Sequence, residues 1–232
     1  MSAEKFYWQG KNLFDKEKYE EALKVFHRAL EEEALHTLSL YGRALSYFKM
    51  QRFHESIQDF DTLINLIPNN ATYLSERGVA LHLAGDNQTA LKDFDKAVAL
   101  EPENPYRYSS RAYIKDRMQD YKGSIDDYTK AIELDPEDAI SYNNRGLVEE
   151  KLGYKDKAKK SFDIADKLMP AKPRPKQINP KQATDQNGMP EIRSEQKPRF
   201  KKYMEVMGSV FTSRQNLKEF VDFVGNTFKS RK

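Results

Sequence analysis

Arg43, Arg77, Arg111 and Arg145 stand 34 residues apart, and Asp59, Asp93 and Asp127 follow the first three at a distance of 16 residues. A guanidinium is a permanently charged planar fork whose donors match carboxylate or phosphate oxygens. Two chemistries fit such a ladder. A row of free guanidiniums would capture an anionic ligand; internal Arg–Asp pairs would brace the scaffold. The chain favours bracing, because the aspartate is present wherever the arginine is in these three cases, while Gln9 is matched by Val25. Arg145 is matched by Ser161, which leaves this arginine as the one expected to be available for binding elsewhere.

No other set of residues forms a catalytic or metal-binding pattern. His27, His36, His54 and His82 follow no ligand or triad spacing. No glycine-rich loop could cradle a phosphate, and the absence of cysteine removes disulfides and thiolate sites. Acidic clusters such as Asp59-Phe60-Asp61 and Asp93-Phe94-Asp95 recur with the same period as the arginines, which marks them as scaffold. The expectation is a non-enzymatic protein that needs no cofactor.

The elements that position the ladder repeat with it. Five units begin at Ala3, Thr37, Ala71, Pro105 and Ala139, covering 3–36, 37–70, 71–104, 105–138 and 139–172. Numbered within the unit, position 8 is small (Gly10, Ala44, Gly78, Ala112, Gly146), and so is position 20 (Ala22, Ser56, Ala90, Ser124, Ala158). Position 24 is aromatic (Phe26, Phe60, Phe94, Tyr128, Phe162). Each unit reads as two helices whose small residues permit close approach and whose aromatic fills the space between them. In the fourth unit the helices are expected from Tyr106 to Met118 and from Tyr121 to Leu134, with Pro136 preventing continuation. Ala34 stands where Pro68, Pro102, Pro136 and Pro170 end the other units, so a looser bend is expected after the first.

A period held over five units without insertion is the signature of a solenoid. The units, and the stretch Tyr142-Asn143-Asn144-Arg145-Gly146 in particular, resemble the tetratricopeptide repeat family. The resemblance spans about three-quarters of the chain. It implies an all-α, right-handed superhelical solenoid over residues 3–170 whose concave face, lined by the first helix of each unit, binds peptides or helices of partner proteins. By that resemblance the groove residues are Tyr7, Lys11, Phe14, Leu38, Tyr41, Leu45, Phe48, Ser75, Val79, Tyr106, Tyr113, Asn143 and Leu147, unless individual side chains turn into the core between units. So apolar a surface suits the apolar face of an amphipathic helix. The family's chaperone-binding carboxylate clamp is not expected, because its positions hold Tyr7, Lys11, Gly42, Thr72 and Glu76.

The repeat also predicts where the solenoid stops. Leu23 and Leu30, Ile57 and Ile64, Leu91 and Val98, and Ile125 and Ile132 offer apolar pairs to the following unit. The fifth unit has Lys159 and Asp166 there, a polar end that a terminal repeat needs. The solenoid is expected to close near Met169.

Beyond it the composition changes. Residues 1–170 hold 25 Lys/Arg against 30 Asp/Glu, and residues 171–232 hold 14 against 6, so an acidic body carries a basic tail. Residues 171–198, with five prolines, read as a linker. Within 199–232, Phe200, Tyr203, Met207, Val210, Arg214, Leu217, Val221, Val224 and Phe228 recur at steps of three and four. Phe211 and Phe220 widen the stripe, which predicts an amphipathic helix or helix pair. Its face has three candidate occupants: the chain's own groove, a second copy in a homodimer, or a membrane surface. Nucleic acid is not expected, because the solenoid is acidic. No apolar stretch of signal-peptide length opens the chain, so the expected location is cytoplasmic. The leading expectation is a protein–protein interaction scaffold. The alternative is a peripheral membrane or assembly factor that uses the tail as anchor or dimerisation element.

Overall fold

A computed structural model describes residues 2–168, and all regular secondary structure among them is α-helical. The helices are α1 (Ala3–Asp15), α2 (Tyr19–Glu32), α3 (Thr37–Lys49), α4 (Phe53–Leu66), α5 (Ala71–Ala84), α6 (Asn87–Leu100), α7 (Pro105–Arg117), α8 (Tyr121–Leu134), α9 (Ala139–Lys151) and α10 (Lys155–Leu168). The linker and the tail face running from Phe200 to Phe228 lie outside the described residues, and with them the choice among the three occupants weighed for that face.

Local chemistry sets the helix ends. Side chains of Ser2, Asn70, Asn104 and Asp138 accept from backbone N–H groups in the first turns of α1, α5, α7 and α9. Pro105 opens α7, where its missing N–H costs nothing. Every turn inside a unit is closed by the same pair of bonds. In the first unit Lys18 N–H reaches Leu13 C=O at 3.0 Å and Glu17 N–H reaches Phe14 C=O at 2.8 Å. This motif requires a left-handed residue, supplied by Glu17, Gln51, Gly85, Gln119 and Gly153 in turn. The bend after the first unit is not looser for lack of proline. His36 N–H bonds Glu33 C=O at 3.1 Å, the same closure that Asn104 makes on Glu101.

Consecutive helices pack on one another along the whole series, as a solenoid requires. In addition α1 touches α3, α5 touches α7, and α7 touches α9, whereas no two even helices come into comparable contact. Elements on the inside of a curve are drawn together, so the odd helices form the inner face. The aromatics of position 24 are the packing keys. Phe26, Phe60, Phe94 and Tyr128 are fully buried. A Cβ on Gly10 would fall 2.6 Å from the Phe26 ring, and one on Gly42 of the next unit 2.5 Å from it. The Phe26 ring therefore needs both glycines, one on α1 and one on α3.

The arginine ladder is bracing, and it works across units as well as within them. Arg43, Arg77 and Arg111 each grip their own unit's aspartate through two nitrogens at 2.6–2.8 Å. Arg77 Nη1 also reaches Asp61 at 2.7 Å and Arg111 Nη1 reaches Asp95 at 3.0 Å, both on the preceding unit. Arg145 is not available for a ligand, contrary to expectation. Its Nε donates to Ser161 at 3.2 Å, its Nη1 to Thr129 at 3.3 Å, and Glu149 stands 3.8 Å away. Lys159 and Asp166 on α10 are exposed.

Candidate functional site

The inner face is a surface of tyrosines with a polar centre. Tyr7 (α1), Tyr41 (α3), Tyr106 and Tyr113 (α7) are half-buried. Tyr7 leans on the Phe26 ring at 6.3 Å and on His36 at 6.0 Å. Tyr41 lies against Phe60 at 6.1 Å and Tyr73 at 5.6 Å. Tyr113 is flanked by His82 at 5.5 Å and by the Arg117 guanidinium at 4.8 Å. Burial pushes the hydroxyls of Tyr7, Tyr41 and Tyr106 above the ordinary tyrosine value, and that of Tyr73 to about 12. These phenols remain neutral donors across the physiological range.

The other groove residues divide by burial. Lys11, Phe14, Leu38, Leu45 and Asn143 are half-buried and Leu147 is 46% exposed. Lys11 Nζ is held by Asp15 at 2.6 Å, and Phe14 meets the Tyr19 ring at 5.3 Å. Phe48, Ser75 and Val79 are buried instead of open. Phe48 turns toward Phe53 on α4, at 5.7 Å, because the edge-to-face contact inside the unit buries it more completely than the groove would. Ser75 accepts a bond from Arg107 Nη1 at 2.9 Å. These three shape the floor and offer little to a ligand.

At the centre lies a constellation that the residue columns did not mark as a site. Glu76 on α5 is 7% exposed, in the electrostatic field of Arg107 and Lys49. Burial raises its carboxyl to about 7 in spite of those two cations. Among the described residues neither cation closes an ion pair with it. Arg107 is engaged by Glu101 at 2.7 Å and by Ser75 and Thr72. Lys49 is lowered by its own burial, the fields of Glu76 and Glu17 opposing. One signal in the sequence could have exposed this centre. Position 6 of the units reads Trp8, Gly42, Glu76, Ser110 and Asn144, with its only acid in the middle unit. Toward the C-terminal side a second charge pair crosses the face, Lys151 Nζ to Asp116 at 2.5 and 2.7 Å.

Two further features lie off the groove. An open depression of about 780 Å³ at the N-terminal end is lined by Lys5, Trp8, Gln9, Asn12, Leu13 and Val25. Its surface is more apolar than polar, with Trp8, Leu13 and Val25 on it. Among the described residues no cluster of His, Asp or Glu could hold a metal ion, and no helix is long and apolar enough to cross a membrane.

Comparison with known proteins agrees with this architecture. Models described as tetratricopeptide repeat match residues 7–64, 41–105 and 139–171, and one described as TPR repeat matches 117–153. No curated protein matches the chain. Among solved structures, MamA from Desulfovibrio magneticus RS-1 superimposes with a TM-score of 0.68 at 20% identity, covering 72% of this chain and 94% of that one. YrrB, described as a TPR protein with an unusual peptide-binding site, gives 0.60 at 19% identity over 71% and 85%. A tetratricopeptide repeat protein of Parabacteroides merdae gives 0.64 at 20% identity over 72% and 65%. At these identities the likeness is one of fold.

Proposed function

Because the chain belongs to the tetratricopeptide repeat family, whose members act as protein–protein interaction scaffolds, we propose that its inner face binds an amphipathic helix of a protein partner. The observation that carries this reading is the set of half-buried tyrosines on α1, α3 and α7, continued by the exposed Leu147 on α9. Aromatic rings anchor apolar side chains at small entropic cost, and their hydroxyls can bond a helix's polar flank. Such a surface favours ligands with apolar anchors at three- and four-residue steps. The internal use of the ladder arginines argues against an acidic peptide as ligand. Nothing in the groove points to bond-making chemistry, so the role proposed is binding alone.

Selection of a displayed library of helical peptides on the full chain tests this. Enriched sequences should carry apolar residues at i, i+3, i+4 and i+7. Tyr113→Ser and Leu147→Asp should each weaken them about tenfold or more, with helix content unchanged. Absence of enrichment, or ligands indifferent to both substitutions, would overturn the reading.

A further inference from the structure

We propose that the first unit is an acid-released end of the solenoid: α1 and α2 open together from α3 as pH falls, with His27 as the trigger, and withdraw one end of the inner face. The consequence for binding rests on the groove reading above; the release itself rests on the junction between units. Arg77 Nη1 ties the third unit to Asp61 of the second at 2.7 Å, and Arg111 Nη1 ties the fourth to Asp95 of the third at 3.0 Å. Arg145 Nη1 makes the matching bond to Thr129 at 3.3 Å. In the first unit that place belongs to His27. Arg43 bonds Asp59 of its own unit, and among the described residues no hydrogen bond joins it to the first. The first unit also lacks a brace inside itself, with Gln9 and Val25 where the next three have arginine and aspartate.

Apolar packing and one long polar contact hold this junction. The Phe26 ring lies against Gly10 and Gly42, and Leu30 packs on the cluster that contains Leu40 and Ala44. His27 Nε2 lies 3.3 Å from the Tyr47 hydroxyl, and the Arg52 guanidinium covers the Tyr47 ring at 4.6 Å. His27 Nδ1 is buried without a partner. An imidazolium carries N–H on both nitrogens, so protonation would put a charged donor at Nδ1 where no acceptor waits. The charged groups that face it are Glu31 on α2, Arg43 on α3, Arg52 before α4 and Asp59 on α4. The two cations oppose the proton and the two carboxylates favour it, but Asp59 is already held by Arg43 through two bonds. His82 differs, because its Nδ1 has Asn87 Oδ1 at 2.6 Å and protonation there leaves that nitrogen partnered.

A histidine that resists its proton only while packed is neutral in both states well above ~6.5. Below that value the opened unit takes up the proton that the closed one refuses, so opening gains as pH falls. Tyr7, Lys11 and Phe14 lie on α1, so opening removes them from the inner face and should release a helix bound along it.

Hydrogen exchange of the full chain, read by mass spectrometry with each rate divided by the intrinsic amide rate at that pH, tests the release without any ligand. From pH 7.5 to pH 5.5, protection in α1 and α2 should fall about threefold or more, while α7 and α8 keep theirs. His27→Gln removes the titrating ring and should abolish the change. The fluorescence anisotropy of Trp8, the one tryptophan of the chain and a residue of α1, should drop in acid in the parent and not in that variant. Protection of α1 and α2 that does not fall in acid would overturn the proposal. So would an acid loss that survives His27→Gln, since the trigger would then be His36, which stands at the same junction with Nδ1 2.8 Å from Ser39 Oγ. If α1 and α2 open in acid while the selected helical peptides stay bound at both pH values, the regulatory role is overturned. If no peptide is selected at all, the groove reading falls, and the exchange result still decides the release.

Discussion

Arg77 and Asp61 belong to different units, yet Nη1 of the one lies 2.7 Å from Oδ1 of the other. The same guanidinium holds Asp93 of its own unit through two further bonds. One side chain thus ties the two helices of its repeat together and couples that repeat to its predecessor. The two arms differ in environment: the Asp93 side chain is 3% exposed and that of Asp61 50%.

The difference sets the first prediction. Arg77→Met leaves Asp93 as a buried unpaired carboxylate and should destabilise the solenoid by about 3 kcal/mol. Asp61→Asn removes only the exposed arm and should cost under about 1 kcal/mol. Urea denaturation of both variants checks this. Equal losses would mean that the outer arm carries as much as the inner one.

The second prediction concerns His27, which occupies the place in the first unit that Asp61 and Asp95 hold in the next two. Burial first, then Arg43, holds its imidazole below the ordinary histidine value, and its Nδ1 is buried without a partner. A histidine pKa lowered by folding contributes stability above the unfolded value, ~6.5, and that stability is lost as pH falls below it. His27→Asp supplies the carboxylate that Arg43 lacks on the preceding unit and should raise stability by about 1 kcal/mol. The advantage over the parent should widen as pH drops from 7.5 to 5.5. Melting curves across that range read it directly; an advantage that shrinks toward acid would contradict the assignment.

Ser56 gives the third. Its hydroxyl is buried and unbonded, whereas Ser124 at the same position of the fourth unit donates to Ala112 C=O at 2.8 Å. The first, third and fifth units place alanine there (Ala22, Ala90, Ala158). Ser56→Ala should therefore stabilise by about 1 kcal/mol, while Ser124→Ala should destabilise. Opposite signs in paired denaturation experiments are the expected outcome.

The fourth follows from the left-handed turn residues. Glu17, Gln51 and Gln119 hold φ of 60–65°, where Gly85 and Gly153 stand in other units. Gln51→Gly and Gln119→Gly should each stabilise by about 0.5 to 1 kcal/mol, and Gly85→Ala should cost about 1 kcal/mol. A shift in melting temperature upward for the first two and downward for the third checks the argument.

The 34-residue period, the small residues facing an aromatic, and the polar last unit were all legible in the chain, because each unit solves the same local packing problem. The pairing of Arg77 with Asp93 was legible for the same reason, as both partners recur in phase. Its second pairing, with Asp61, recurs only at Arg111, and the acidic pair around Phe60 read as undifferentiated scaffold. Phe48 and Val79 read as groove positions but are buried, since a side chain at the rim of a helix face can rotate either way and neighbouring volume decides.

The sequence by itself determined the repeat and the helix pairs, since these depend on residues near in chain or fixed in phase. Only the tertiary structure brought Lys49, Glu76 and Arg107 together from α3, α5 and α7 and raised the Glu76 carboxyl to about 7. That outcome depends on burial and on charges from three units at once, and no column of a repeat records the sum of fields at one atom.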